Sequence, residues 1–159
     1  MPKTAAGLLM LRRRQGALEF FLAHPGGPFW AKKDVGAWSI VKGEVEGNED
    51  LRACALREFQ EETGLVVEAP LTALGSIRQK SGKTVHAWAF FGEWPEGALP
   101  PSNRVTITLR GRSMQVPEID RVAFFPLEQA LDKINPAQAE FLHRASGLVE
   151  VDDDDFDIF

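Results

Sequence analysis

Residues 43–65 run Gly43-Glu44-Val45-Glu46-Gly47-Asn48-Glu49-Asp50-Leu51-Arg52-Ala53-Cys54-Ala55-Leu56-Arg57-Glu58-Phe59-Gln60-Glu61-Glu62-Thr63-Gly64-Leu65 and separate a strand-rich opening from a strand-then-helix remainder. From Glu49 to Thr63 every residue tolerates a helix, with no Pro or Gly; Asn48 is available as a cap and Gly64 as a stop. Glu58, Glu61 and Glu62 stand at i, i+3 and i+4, which places them within about 100° of one helix face. Three carboxylates so close repel one another unless cations compensate them. A hard divalent metal held by carboxylates, water and substrate phosphate is the natural compensation. Arg57 lies one turn before Glu61 and two turns after Glu49, within reach of either acid. Leu51, Ala55, Leu56 and Phe59 form the adjoining apolar stripe that would seat the helix on a sheet. Gly43 and Gly47 permit a tight loop before the helix, where a backbone carbonyl could approach a metal. Lys42 borders that loop and could meet phosphate oxygens.

Upstream, Gly7–Arg14 and Ala17–His24 are β-rich runs separated by Gln15-Gly16, a hairpin pattern. The Gly/Pro-dense segment from His24 to Trp30 reads as a loop and Trp38–Val41 as a short strand. Downstream, Leu65–Val67, Leu74–Ile77 and Thr84–Phe91 have strand composition, with a polar turn over Lys80–Lys83. Trp94–Asn103 reads as a loop. Val105, Ile107 and Leu109 alternate with threonines, which predicts a half-buried strand, and Val122–Phe125 is another apolar run. Leu127–Ile134 and Ala137–Ala145 read as helices broken at Asn135-Pro136. Strands on both sides of a central helix, with helices closing the chain, predict an α/β sandwich with a mixed sheet.

The 159 residues suit one domain, expected over 1–148, and the acid-rich segment 149–159 is expected as a flexible tail. Cys54 is the single cysteine, so no disulfide framework forms within the chain. The apolar run Ala5–Leu11 is far shorter than the roughly 20 residues of a membrane span. Arg12, Arg13 and Arg14 follow that run where a secretory signal would carry charge before it, so a cytoplasmic setting with no membrane partner is expected. The net charge of -5 argues at first against polyanionic partners. Residues 149–159, however, hold six of the 23 acids, and residues 43–65 hold seven acids against two bases, so the rest of the chain is basic.

The pattern Gly43, Glu49, Arg57, Glu58, Phe59, Glu61, Glu62, Gly64 and Leu65 resembles the Nudix hydrolase signature G-x5-E-x7-R-E-U-x-E-E-x-G-U at every specified position. The resemblance covers roughly Thr4 to Ala145 and implies a Nudix-type α/β/α sandwich. It also implies Mg²⁺-dependent (or Mn²⁺-dependent) hydrolysis of a nucleoside diphosphate linked to another group. On it, Glu58, Glu61 and Glu62 are expected as metal ligands together with the Gly43 carbonyl. Glu58 or Glu61 is expected as the base, and Arg57 with Glu49 as an orienting ion pair. Two other readings stand beside it: an acidic helix that binds nothing, and a Nudix fold kept as a nucleotide sensor without catalysis.

Segments around Ala17–His24, Trp38–Gly43 and Lys83–Trp88 resemble asymmetrical diadenosine tetraphosphate hydrolases and related bacterial Nudix proteins, except that Val41 replaces a common proline. A dinucleoside polyphosphate is therefore the expected small-molecule substrate, with no obligatory nucleic acid. Oxidised nucleoside triphosphates, ADP-ribose and RNA 5′ ends are the alternatives, and the oligomeric state is open. Lys32, Lys33, Lys42 and Lys83 are candidates for phosphate contact, and Trp30 and Trp38 for base stacking, as are Trp88 and Phe91, though strand positions suit the last two better to a core. Glu118, in Pro117-Glu118-Ile119-Asp120, could add a ligand or base or be only a surface acid. His24, His86 and His143 lack metal-ligand spacing, and Cys54 suits a small buried role.

Overall fold

The structure, a computed structural model, describes the backbone of residues 3–157 and the side chains of residues 3–148. It opens with strands β1 (Thr4–Arg14) and β2 (Ala17–Pro25), joined through Gln15 and Gly16 at φ 53° and 79°. This is the hairpin predicted from sequence. Next come β3 (Val41–Glu44), α1 (Leu51–Thr63), β4 (Thr72–Arg78) and β5 (Thr84–Phe91). A separate pair, β6 (Arg104–Leu109) and β7 (Arg112–Pro117), precedes β8 (Ile119–Pro126). The chain closes with α2 (Leu127–Lys133), a 3-10 turn at Pro136–Gln138 and α3 (Ala139–Asp157).

The main sheet has the order β4-β5-β1-β2-β8, with β3 added to β1. Strand β1 pairs in parallel with β5 along Thr4–Leu11 and spends its other edge on two partners. Residues Ala5–Leu8 pair with β3, and Leu11–Arg14 pair with β2. The sheet therefore forks where β2 and β3 part, and the functional cleft opens at that fork. Being central, β1 is buried on both faces and reads as a continuous apolar run rather than an alternating one. Its odd positions Ala5, Leu9 and Leu11 join a core with Phe141 and Leu142 of α3. Its even positions Ala6, Leu8 and Met10 join a second core with Cys54, Ala55 and Phe59 of α1. Helix α1 thus covers one face and α2 and α3 the other, the expected sandwich.

Several boundaries differ from the sequence reading. Helix α1 begins at Leu51, capped by Asp50, whose side chain accepts from Ala53 N at 3.0 Å. Asn48 and Asp50 both suit a cap, and the closer of the two to the first helical turn takes the role. Gly64, at φ 80°, ends the helix as expected. Trp38 and Ser39 make only isolated bridges, and the strand starts at Val41 and takes in Gly43. Leu65–Val67 is not a strand; Leu65 and Val67 pack onto the α1-side core without a ladder partner, and Val66 is exposed. Strand β7 was not anticipated, because Arg112–Gln115 is exposed, with Met114 its one apolar residue, and pairs with β6 rather than the main sheet. The backbone of the acidic segment continues α3 through Asp157, and its side chains lie outside the described residues. No helix among the described residues is long and apolar enough to cross a membrane.

Candidate active site

Helix α1 lies over β3 and turns Glu58 and Glu62, one turn apart, toward the fork in the sheet. Both are buried, Glu62 to 1% exposure. From the far side, the turn between β7 and β8 delivers Glu118, and carboxylate oxygens of Glu58, Glu62 and Glu118 all lie within 4.8 Å of one another. Glu61 is left at the rim. It shares Arg57 Nη1 with Glu58 and receives a hydrogen bond from Asn103 Nδ2 at 3.1 Å. Of the sequence-predicted ligands, the structure gathers Glu58 and Glu62, holds Glu61 beside them, and brings Glu118 into the place a third ligand would take.

The cluster is tied down by a segment with no recognisable motif. Ser102 Oγ donates to Glu62 Oε2 at 2.7 Å and accepts from Ile119 N at 2.9 Å. Asn103 N adds a second hydrogen bond to Glu62 Oε2 at 3.3 Å, and Glu118 N donates to Asn103 O at 2.8 Å. Ser102 holds φ 40°, a left-handed conformation uncommon for a residue with a side chain. The loop spanning Trp94–Asn103 is thereby locked to both acid-bearing segments. The only sequence signal was a polar dipeptide after Pro100-Pro101.

The electrostatics follow from burial. Glu62 Oε1 is buried and meets no donor among the described residues. Burial first, and the adjoining Glu118 carboxylate second, hold the Glu62 carboxyl well above the usual range, at about 8. Glu58 is raised as well, chiefly by burial and against the pull of Arg57. Two facing carboxylates, with Glu62 Oε1 left without a donor among the described residues, must share either a proton or a cation, so the donor set fits a hard metal ion. Gly43 belongs to the same wall, because a Cβ built there would stand 2.0 Å from Glu58 Cδ.

Arg57 and Glu49 form the expected pair, bidentate at 2.7 and 2.9 Å. That pairing holds the Glu49 carboxyl down at about 2 and pushes Arg57 further up. Lys42 is half-buried in the cleft, which is lined by Ala23, Pro25, Ser39 and Ile40 together with Glu62 and Glu118. Burial, and then Lys83, lower its ammonium to about 8. Lys83 itself lies 3.6 Å from Glu44.

The other predicted contact residues divide. Trp38 is core: it is buried, donates its indole N–H to Asp34 at 2.8 Å and packs edge-on against His24 and Phe125. A ring only 4% exposed offers no platform. Trp30 is half-buried in the Gly/Pro loop, with Phe29 exposed beside it and the Lys33 ammonium 3.5 Å above the Phe29 ring. Lys32 is exposed nearby. Trp88 packs at the edge of the α1-side core and Phe91 is half exposed. Gly26 N donates to Glu118 O at 2.9 Å, so this loop also braces the third acid. His24 is fully buried, its ring nitrogens 2.9 Å from Asp120 Oδ1 and 2.6 Å from Lys33 O. That makes it a strut between the loop and the Glu118 segment. Cys54 is buried in α1, its thiol pushed up to about 11 mainly by burial.

A mixed sheet between helices, with a carboxylate helix closed over its fork, defines a class of enzyme that handles phosphoric anhydrides. The NUDIX domain family matches residues 1–145, and the chain belongs to that family, as a hydrolase of pyrophosphate bonds. No curated protein sequence matches it significantly. Among solved structures it is similar to an Ap4A hydrolase of C. elegans in a binary complex, with a TM-score of 0.66 at 22% identity over 92% of this chain and 98% of that one. It is also similar to the NUDIX domain of Shewanella oneidensis NrtR complexed with ADP ribose, with a TM-score of 0.64 at 14% identity over 94% and 89%. A MutT protein from Methanosarcina mazei gives 0.56 at 21% identity over 90% and 92%. At these identities the likeness is one of fold.

Proposed function

We propose that the chain is a divalent-metal-dependent pyrophosphohydrolase of a nucleoside diphosphate linked to another group, with dinucleoside polyphosphates as the substrate class. The observation that carries the metal is the convergence of Glu58, Glu62 and Glu118, with Glu62 Oε1 buried and donor-less beside the Glu118 carboxylate. Mg²⁺, or Mn²⁺ in its place, when bound there supplies charge neutralisation for the phosphates and activation of water. Glu58, Glu62, Glu118 and the Gly43 carbonyl form the donor set. Arg57, pinned by Glu49, fixes the rotamers of Glu58 and Glu61. Glu61, exposed at the rim beside Arg57, is the base that takes a proton from the attacking water in this reading.

Lys42 and Lys83 line the route of a phosphate chain leaving the cleft. Trp30, with Lys32 and Lys33 beside it, offers a stacking and charge contact to a base. The basic character of the chain outside residues 43–65 and 149–159 favours a substrate with a long phosphate chain. The fold likeness to an Ap4A hydrolase agrees with this reading.

The test is a substrate panel with Mg²⁺, separating products by chromatography. Release of ATP plus AMP from diadenosine tetraphosphate is expected. Preference for ADP-ribose would overturn the substrate class, and nucleotide binding without turnover would make the chain a sensor.

A further inference from the structure

The β6–β7 hairpin stands apart from the main sheet as a sheet of its own, with no third strand among the described residues. Its feet are site residues. Asn103, holding Glu61 and Glu62, precedes β6, and Glu118 follows β7. The register sets Val105 opposite Val116, Ile107 opposite Met114 and Leu109 opposite Arg112, so these six side chains share one face. That face is covered at the foot, where Val116 is buried, and open toward the tip, where Leu109 is 46% and Met114 43% exposed. Residues 104–117 contain Arg104, Arg110 and Arg112 and no acid. None of the three arginines makes a salt bridge among the described residues. The turn at Arg110-Gly111, with φ 52° and 76°, puts Arg110 and Arg112 at the tip beside the open apolar residues. A two-stranded hairpin is marginal by itself, and apolar surface rimmed by polar groups marks a place of docking.

The same sequence carries the complement. Residues 149–159 hold six acids and no base, interspersed with the apolar Val149, Val151, Phe156, Ile158 and Phe159. All six acids fall in the C-terminal part of α3, whose last turn has no base and where the helix dipole is already negative. Such a helix end calls for cations from outside it. In its own chain the segment continues a helix on the face of the sheet away from α1. The hairpin instead springs from Asn103 and Glu118, which meet the acids of α1. We infer that the hairpin docks the acidic segment 149–157 of a second copy of this chain, its arginines against the carboxylates and Leu109 and Met114 against the apolar residues between them. Hairpin against hairpin would bring together three arginines from each copy without an acid, which charge disfavours. In a two-fold pair each hairpin takes the other copy's segment, so the contact is made twice and the assembly closes. The contact does not depend on the reading of the cleft as a pyrophosphohydrolase site.

The experiment is sedimentation velocity on the full chain over a wide range of protein and salt concentrations. A concentration-dependent dimer that weakens as salt rises is expected. Arg110→Glu/Arg112→Glu and Asp153→Lys/Asp154→Lys should each weaken it by about tenfold or more, while Arg78→Glu, which reverses an exposed charge on β4, leaves it unchanged. Both pairs of substitutions combined in one chain should associate more tightly than either pair alone, because the charges are then exchanged rather than opposed. Circular dichroism checks that each variant is folded. A monomer at every concentration, a dimer indifferent to the tip variant, equal weakening by Arg78→Glu, or no recovery in the combined chain would overturn the inference. Hydrolysis of diadenosine tetraphosphate by wild type, measured in parallel, separates the two readings. Turnover by a monomer removes the contact alone, and a charge-dependent dimer without any turnover removes the proposed function and leaves the contact.

Discussion

Gly43 of β3 and Glu58 of α1 are packed so closely that a Cβ on the glycine would fall 2.0 Å from the glutamate's carboxyl carbon and 2.3 Å from both of its oxygens. The strand therefore acts as a backstop that fixes how far the carboxylate can retreat from the cleft. Gly43→Ala should push Glu58 off its position, cost about 1–3 kcal/mol as overpacking and lower turnover by at least tenfold. Thermal melting and steady-state kinetics on the same preparation check both; unchanged turnover would show that Glu58 does not need this wall.

Ser102 acts on Glu62 through a 2.7 Å hydrogen bond and on the Glu118 segment through Ile119 N. Removing the hydroxyl frees both. Ser102→Ala is expected to raise the Mg²⁺ concentration for half-maximal activity by about 10-fold or more, the scale seen when a partner of a metal ligand is lost. Ser102→Thr, which keeps the hydroxyl, should recover part of the effect. An identical metal requirement in all three proteins would reduce the loop to a structural role.

Burial, and then the facing Glu118 carboxylate, hold the Glu62 carboxyl up at about 8, above the 4.5 of a free side chain. Its proton-bound form therefore adds stability fully present below about pH 4.5 and lost as pH rises through 8. With chelator present, wild type should lose melting temperature between pH 6 and pH 9 relative to Glu62→Gln, which cannot titrate there. Saturating Mg²⁺ displaces the proton and should remove the difference. Calorimetry at pH 7 in buffers of different ionisation enthalpy should accordingly show proton release on Mg²⁺ binding.

Glu49 works in the opposite sense. Held at about 2 by Arg57, it contributes stability present above pH 4.5 and lost as pH falls through 2. In acid denaturation, Glu49→Gln should differ from wild type at pH 6 and converge with it near pH 2. Arg57→Lys keeps the charge but loses the bidentate fork, and turnover should fall by at least tenfold with little change in fold, as read by circular dichroism.

The parts of the site that one helix presents were legible in the sequence, because helical spacing alone puts Glu58 and Glu62 on one side and Arg57 near Glu49. The parts that depend on a long loop were not. Glu118 was an open possibility, since nothing local shows that the β7–β8 turn folds back over α1. Ser102 and Asn103 were missed altogether, since a left-handed serine looks like any other polar residue in a Gly/Pro loop. Trp38 misled for a related reason: an aromatic beside the motif is placed by sheet packing, and the β2–β3 fork turned it into the core. Strand β7 escaped because an exposed hairpin needs no apolar alternation.

Strand β1 pairs in parallel with β5, whose residues lie about 80 positions later in the chain, and β3 in turn hangs on β1. At roughly 5–20 residues per second of synthesis, β1 leaves the ribosome about 4–16 s before the partner that buries its second edge. During that interval an unusually apolar strand has partners, β2 and β3, along one edge only, and its other edge is open. Non-local closure of this kind is slow, so refolding of the whole chain should be limited by β1–β5 docking. The strand that anchors the site is thus also the segment on which nascent chains depend for protection from aggregation.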